Sequence, residues 1–222
     1  MRSRFYYEGH HQAVASAVRD YVNSSQDFLS PHTAGSPRAA GDAIEALVAE
    51  KFGGFLGDWC TEYSREFARR AMADMAFTDK EGIYSVVDVK THREDARFSM
   101  PNLTSVDRLA RFYESDANVF SLLMIKYAIE DTSVTVSEVV FCPIEFLDWS
   151  CLTVGALGWG QIQIANSNNI RVIERYSRKE WMLQLCDALL TFYPKEIGKI
   201  QDRIERFSDV RKYWEAKEDL WR

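Results

Sequence analysis

Residues 83–90, Ile-Tyr-Ser-Val-Val-Asp-Val-Lys, constrain this chain more than any other stretch. Five residues with strand chemistry run directly into Asp88-Val89-Lys90. Strand interiors avoid Asp and Lys, because an unpaired charge at a half-buried position costs several kcal/mol. The charges therefore need partners that the fold must deliver. The preceding residues suggest the source. Asp79-Lys80-Glu81-Gly82-Ile83 suits a hairpin with the three-residue loop Lys80-Glu81-Gly82 and Gly82 left-handed. That turn sets Asp79 opposite Ile83, and hence Asp74 opposite Asp88. Period-two alternation then places Asp88 and Lys90 on one face, with Val87 and Val89 on the other.

Opposed carboxylates destabilise a sheet. Two of them held roughly 5 Å apart make sense with a hard divalent cation between their oxygens, which lowers both pKa values. Lys90 projects beside such a cation, where it can hold a water or offset charge on a phosphate. The alternative is an internal Asp88–Lys90 ion pair with no catalytic role.

Around this hairpin the chain reads as one domain of 222 residues, α/β in the broad sense (α+β), with a mixed central sheet flanked by helices. A core of about residues 40–145 is expected to carry chemistry, and about 146–222 recognition and C-terminal helices. Helices are expected over about 8–24, 39–54 (ending at Gly53-Gly54), 106–115 and from 177, with Pro194 separating two helices in the tail. Residues 30–38, Ser-Pro-His-Thr-Ala-Gly-Ser-Pro-Arg, have loop chemistry and are expected to be mobile without a partner. Strands are expected from about 69, then across the Gly82 turn, and again over 118–130 and 134–144. Residues 156–173 suggest a loop-strand-loop. The aromatic tail (Phe207, Tyr213, Trp214, Trp221) reads as a packed amphipathic helix.

A formal net charge of −6 gives no sign of a wholly basic surface, yet permits a local cationic cleft. Cys60, Cys142, Cys151 and Cys186 form no CxxC pair, so reduced thiols are expected and zinc is not. No apolar run approaches a membrane span, and the first residues lack a signal-peptide segment, which points to the cytoplasm. His10-His11 and His32 are read as structural, since adjacent helical histidines diverge by about 100°.

Asp74, a strand-turn-strand, and Asp88-x-Lys90 resemble the PD-(D/E)xK nuclease signature. Val86 to Val106 further resembles the active-site strand and following segment of type II restriction endonucleases of the EcoRV/HincII/SwaI kind. The parallels are Asp88-Val89-Lys90-Thr91 and then Arg97-Phe98-Ser99-Met100-Pro101 through Thr104-Ser105. The resemblance covers about residues 40–130, with Ala73 in place of the usual Pro before the first Asp. It implies Mg2+-dependent hydrolysis of double-stranded DNA by a bacterial homodimer on a palindromic site, with no small-molecule cofactor. Asp74, Asp88 and the Val89 carbonyl are the implied metal ligands, and Lys90 the implied partner of the attacking water. A helix acid is also implied; Asp42, Glu45 and Glu50 are available, and Glu45 lies at the border of the apolar face set by Ile44 and Val48.

Recognition is expected in Gly155–Arg171, where Gln161, Gln163, Asn166, Asn168 and Asn169 carry amides that can pair with adenine edges. Gly158 and Gly160 permit close backbone approach, and Trp159 can wedge against bases. A polar turn beside a core tryptophan explains the same residues. Asn102, Thr104, Ser105, Arg108 and Arg111 are candidate phosphate contacts, and His92 a candidate backbone contact. A repair or recombination nuclease of the same superfamily and a non-catalytic DNA-binding or structural protein remain as alternatives.

Overall fold

A computed structural model describes residues 3–25, 28–65, 72–96 and 99–219. Arg97, Phe98 and Trp221 lie outside the described residues, as does the start of the strand expected from 69. Two compact units divide the chain, residues 1–178 and 179–222.

The first unit opens with four helices: α1 (Arg4–Tyr7), α2 (His10–Ser24), α3 (Pro31–Ala34) and α4 (Pro37–Leu56). The expected mobile loop over 30–38 is therefore corrected to two helix starts. Ser30 caps α3 by accepting the Thr33 N–H, and Ser36 caps α4 by accepting the Ala39 N–H. Pro31 and Pro37 occupy the first helical turn, where a missing N–H costs nothing. The expected stop at Gly53-Gly54 moves to Gly57, whose positive φ of 54° turns the chain. Gly53 lies inside α4 because a Cβ there meets the Tyr63 ring at 3.2 Å.

Among the described residues eight strands follow: β1 (Cys60–Ser64), β2 (Met75–Asp79), β3 (Tyr84–Arg93), β4 (Asn102–Ser105), β5 (Asn118–Glu130), β6 (Ser133–Pro143), β7 (Leu152–Gly155) and β8 (Gln161–Ile164). Helix α5 (Val106–Phe112) lies between β4 and β5. Among the described residues they form a five-stranded sheet of order β1-β2-β3-β5-β6 and a three-stranded sheet of order β4-β8-β7. β3 and β5 are parallel and the other pairs antiparallel, so the central sheet is mixed. The parallel step requires a crossover, which β4 and α5 supply. β5 is buried over Val119–Ile125, as a strand covered on both faces must be. The α2/α4 side is packed by Phe5, Phe52, Phe77 and Phe141, with Phe5–Phe77 and Phe52–Phe141 ring centroids 5.5 Å apart.

The hairpin register is the expected one. Met75 pairs with Val87, Phe77 with Ser85 and Thr78 with Tyr84, and Gly82 has φ 78°. Asp79 fixes the turn: its Oδ1 accepts the Glu81 and Ile83 N–H groups at 2.8 and 3.0 Å. A one-residue slip would lose both bonds and invert every side chain of the strand.

The second unit is dominated by α6 (Arg178–Glu215), a single helix of 38 residues. The break expected at Pro194 does not occur; Pro194 lies within the helix. Nor is the tail packed as expected, since Phe207, Tyr213 and Trp214 are exposed.

Candidate active site in the middle of strand β3

Asp88, Lys90 and His92 alternate onto one face of β3, while Thr91 and Arg93 turn toward α4 and α3. Gly41 of α4 makes that second contact possible. A Cβ at Gly41 would collide with Thr91 Oγ1, so the Thr91 side chain would have to rotate or α4 to shift. This approach fixes the α4 turn that carries Glu45. Gly41→Ala is expected to destabilise the fold by about 1–3 kcal/mol through overpacking. Denaturant unfolding checks this, and Thr91→Ala in the same chain should recover part of the loss.

Past Met75 the ladder bends. The Asp74 N–H donates to the Val87 carbonyl at 3.1 Å, and Asp74 Oδ2 accepts the Val89 N–H at 2.7 Å. Asp74 thus grips the backbone on both sides of Asp88 rather than forming a regular cross-strand pair with it. Like charges in direct opposition are costly, and this bend relieves that opposition while keeping the acids neighbours.

Asp88 is 5 % exposed. Its Oδ1 accepts from Lys90 Nζ at 2.7 Å, and its Oδ2 is buried without a hydrogen-bond partner. Burial is the main influence on its carboxyl, pushing the pKa up from 3.8 to about 7. Lys90 opposes that rise, while the negative charges of Asp74 and Glu45 add to it. Of the three helix acids, Glu45 is therefore the one that bears on Asp88 electrostatically; Asp42 and Glu50 are exposed.

Lys90 Nζ also donates to the Val89 carbonyl at 3.2 Å. The ammonium thus holds two of the three oxygen groups expected to serve a divalent cation. Among the described residues, no cluster of three or more His, Cys, Asp or Glu side chains is gathered as a ready metal centre. The donors nevertheless suit Mg2+, which needs only one or two carboxylates and keeps several waters. If a cation bound here, Asp74, Asp88 and the Val89 carbonyl are the groups that would hold it, and the buried Asp88 Oδ2 without a hydrogen-bond partner would be the first it satisfies.

His92 departs from its expected role. It is buried, with Nε2 bonded to Asn168 Oδ1 at 2.8 Å and Nδ1 to Ser167 Oγ at 3.0 Å. With both ring nitrogens engaged, it positions the 166–169 turn instead of contacting a DNA backbone. Thr104 is likewise buried in β4, out of reach of a phosphate. Asn102, Arg108 and Arg111 are exposed, though Arg111 pairs with Asp107 at 3.0 Å, and Ser105 is half-buried.

The amide-rich segment forms part of the small sheet. Gln163 Nε2 donates to Asn102 Oδ1 at 2.6 Å, tying β8 to β4. Asn166 Oδ1 accepts the Asn168 N–H at 2.9 Å, so Asn166 makes a turn. Gln161 is half-buried, and Asn168 and Asn169 are exposed. Trp159 is not a core residue: it is 71 % exposed between Gly158 (φ 59°) and Gly160 (φ 120°).

Two contributors escape the sequence reading. Gly41 carried a signal as a lone glycine inside an apolar-faced helix. Ser167, which holds His92 and accepts the Ser99 N–H at 3.1 Å, carried none.

No family model matches this chain, and no curated protein matches it.

Proposed function

We propose that the protein is a Mg2+-dependent site-specific endonuclease that hydrolyses phosphodiester bonds in double-stranded DNA as a homodimer. The observation that carries this reading is the buried Asp88 carboxyl with an unpartnered oxygen, ringed by Asp74, Glu45 and Lys90. A structural ion pair needs one acid and one base. Here the base meets only one oxygen of the Asp88 carboxyl, and the second buried oxygen, without a hydrogen-bond partner among the described residues, suits a site that receives a cation.

Asp74, Asp88 and the Val89 carbonyl are the groups to hold Mg2+, and the metal supplies Lewis-acid polarisation of the phosphate and a more acidic bound water. Asp74, anchored by the Val89 N–H, fixes the backbone that presents Asp88. Lys90, once released from the Val89 carbonyl, offers its ammonium to the attacking oxygen and to the charge gathering on phosphate. Glu45 assists by positioning water. A palindromic site cut on both strands calls for two such centres related by a two-fold axis.

Trp159 and Gln161 present the most suitable side chains for base contact, with Asn168 and Asn169 beside them. Gln161→Ala is expected to relax site discrimination, at about 1–3 kcal/mol per lost base contact. An unchanged fragment pattern would remove Gln161 from recognition. Incubation of plain duplex plasmid with Mg2+ tests the reading itself: discrete fragments support a site-specific endonuclease. Cleavage only of branched or mismatched DNA would favour a repair or recombination nuclease, and no cleavage a non-catalytic protein.

A further inference from the structure

The turn that carries Asn168 and Asn169 is fastened to the strand that carries Asp88 and Lys90 through His92, and its partners fix the ring proton. Asn168 Oδ1 can only accept, so His92 Nε2 carries the hydrogen and donates it at 2.8 Å. Ser167 Oγ accepts from the Ser99 N–H and from the Ser99 hydroxyl, each at 3.1 Å, which fills its two lone pairs. Its own hydrogen is left for His92 Nδ1, at 3.0 Å. Hydrogen bonds therefore run one way, from Ser99 to Ser167 to His92 to Asn168. A neutral imidazole with its proton on Nε2 completes the chain. Both His92 and Ser167 are buried. The backbone secures the two ends: the Ser167 N–H donates to the Ser99 carbonyl at 3.1 Å, and His92 is in register with Lys126 of β5. An apolar contact here would give similar net stability; a satisfied polar chain adds a fixed geometry.

We propose that His92 is a positioning residue: it holds the turn at a set distance from Asp88 and Lys90, so that base contact by the turn places the scissile phosphate over them. The proposal rests on the cleavage reading above and adds to it how recognition and cleavage are kept in register. His92 follows Asp88 by four residues on one face of β3, so about 13 Å of paired strand separates them at about 3.3 Å per residue. That is the rise of about four base pairs at about 3.4 Å each. A duplex whose bases meet Asn168 and Asn169 therefore has a phosphate within reach of Asp88. With the turn released from His92, the same bases can still be contacted, but the phosphate loses its fixed place. A misplacement of about 1 Å costs about 10^2-fold in rate. Where a changed base pair removes the contact, the brace has nothing to transmit. Loss of His92 thus acts on cleavage of the cognate site and spares affinity, which loss of a merely stabilising residue does not do.

Two substitutions separate the two ring bonds. His92→Gln sets an amide N–H near the place of Nε2 and can still donate to Asn168. His92→Asn sets a carbonyl oxygen near the place of Nδ1 and reaches Ser167 alone. The substrates are a duplex carrying the sequence found at wild-type fragment ends and duplexes with one base pair of it changed. Affinity is measured before Mg2+ is added, and single-turnover cleavage after. His92→Asn should cut the cognate duplex about 10- to 10^2-fold more slowly while binding it within about twofold of the wild type. It should cut at least one changed duplex at the wild-type rate, so that selectivity falls in cleavage and not in binding. His92→Gln should recover most of the cognate rate. In the wild type without DNA, the 15N shifts of the His92 ring should show a protonated Nε2 and a bare Nδ1. The opposite tautomer, an unslowed His92→Asn, equal slowing by both variants, slowing on every duplex alike, or slowing matched by lost affinity would overturn the proposal and leave the cleavage reading standing. A wild type that cuts no duplex would overturn the cleavage reading, and the proposal with it.

Discussion

Lys90→Ala is expected to lower Mg2+-dependent DNA cleavage about 10^2- to 10^3-fold at neutral pH, the range for loss of one charge-stabilising donor. Its second consequence separates a catalytic lysine from a structural one. Lys90 is the group that draws the Asp88 pKa down against burial, Asp74 and Glu45. Without it, the Asp88 carboxyl rises above about 7 and stays protonated at neutral pH. A metal ligand must be ionised, so the residual activity should climb as pH is raised further, with Mg2+ dependence shifted to higher concentration. Cleavage measured against pH at several Mg2+ concentrations checks both. A structural lysine would change stability alone.

Asp88→Asn is expected to abolish cleavage while leaving the fold intact, because the amide keeps the shape of the side chain and removes the charge. Stability should respond in a definite direction. In the metal-free wild type, the Asp88 pKa is raised from 3.8 to about 7 by burial. Between those values the folded state holds a proton that the unfolded state has released. Its contribution is fully present below about pH 4 and is lost as pH rises through about 7. The loss is of the order of a few kcal/mol, at about 1.4 kcal/mol per pKa unit. Asp88→Asn should flatten this slope. Above pH 7, Mg2+ should stabilise the wild type by binding the ionised site, and should leave the variant unchanged. Thermal unfolding across pH, with and without Mg2+, measures all three effects.

Local chemistry explains which parts of the molecule were legible in the sequence. The hairpin was, because a glycine in the left-handed position and a three-residue loop leave one register available. β5 was legible as a strand from its long apolar run, but its place between β3 and β6 was not, because pairing partners are set by tertiary contacts. The capped helix starts at Ser30-Pro31 and Ser36-Pro37 were misread, since the same residues serve loops and helix N-termini alike. β1 and β4 escaped because Cys-Thr-Glu-Tyr-Ser and Asn-Leu-Thr-Ser lack a strong hydrophobic pattern; tertiary pairing makes them strands. The bend at Asp74 and the His92–Ser167–Asn168 anchor depend on contacts between distant segments, which no local spacing encodes. The helical character of α6 was readable, but its aromatic residues suggested a packed face, and Phe207, Tyr213 and Trp214 are exposed.

The most direct test of the central claim is incubation with mixed-sequence double-stranded DNA and Mg2+, followed by sequencing of every fragment end. The account predicts ends that share one short symmetric sequence, and none with Asp88→Ala. Ends without a shared sequence, no cleavage by the wild type, or the same ends from Asp88→Ala would contradict it.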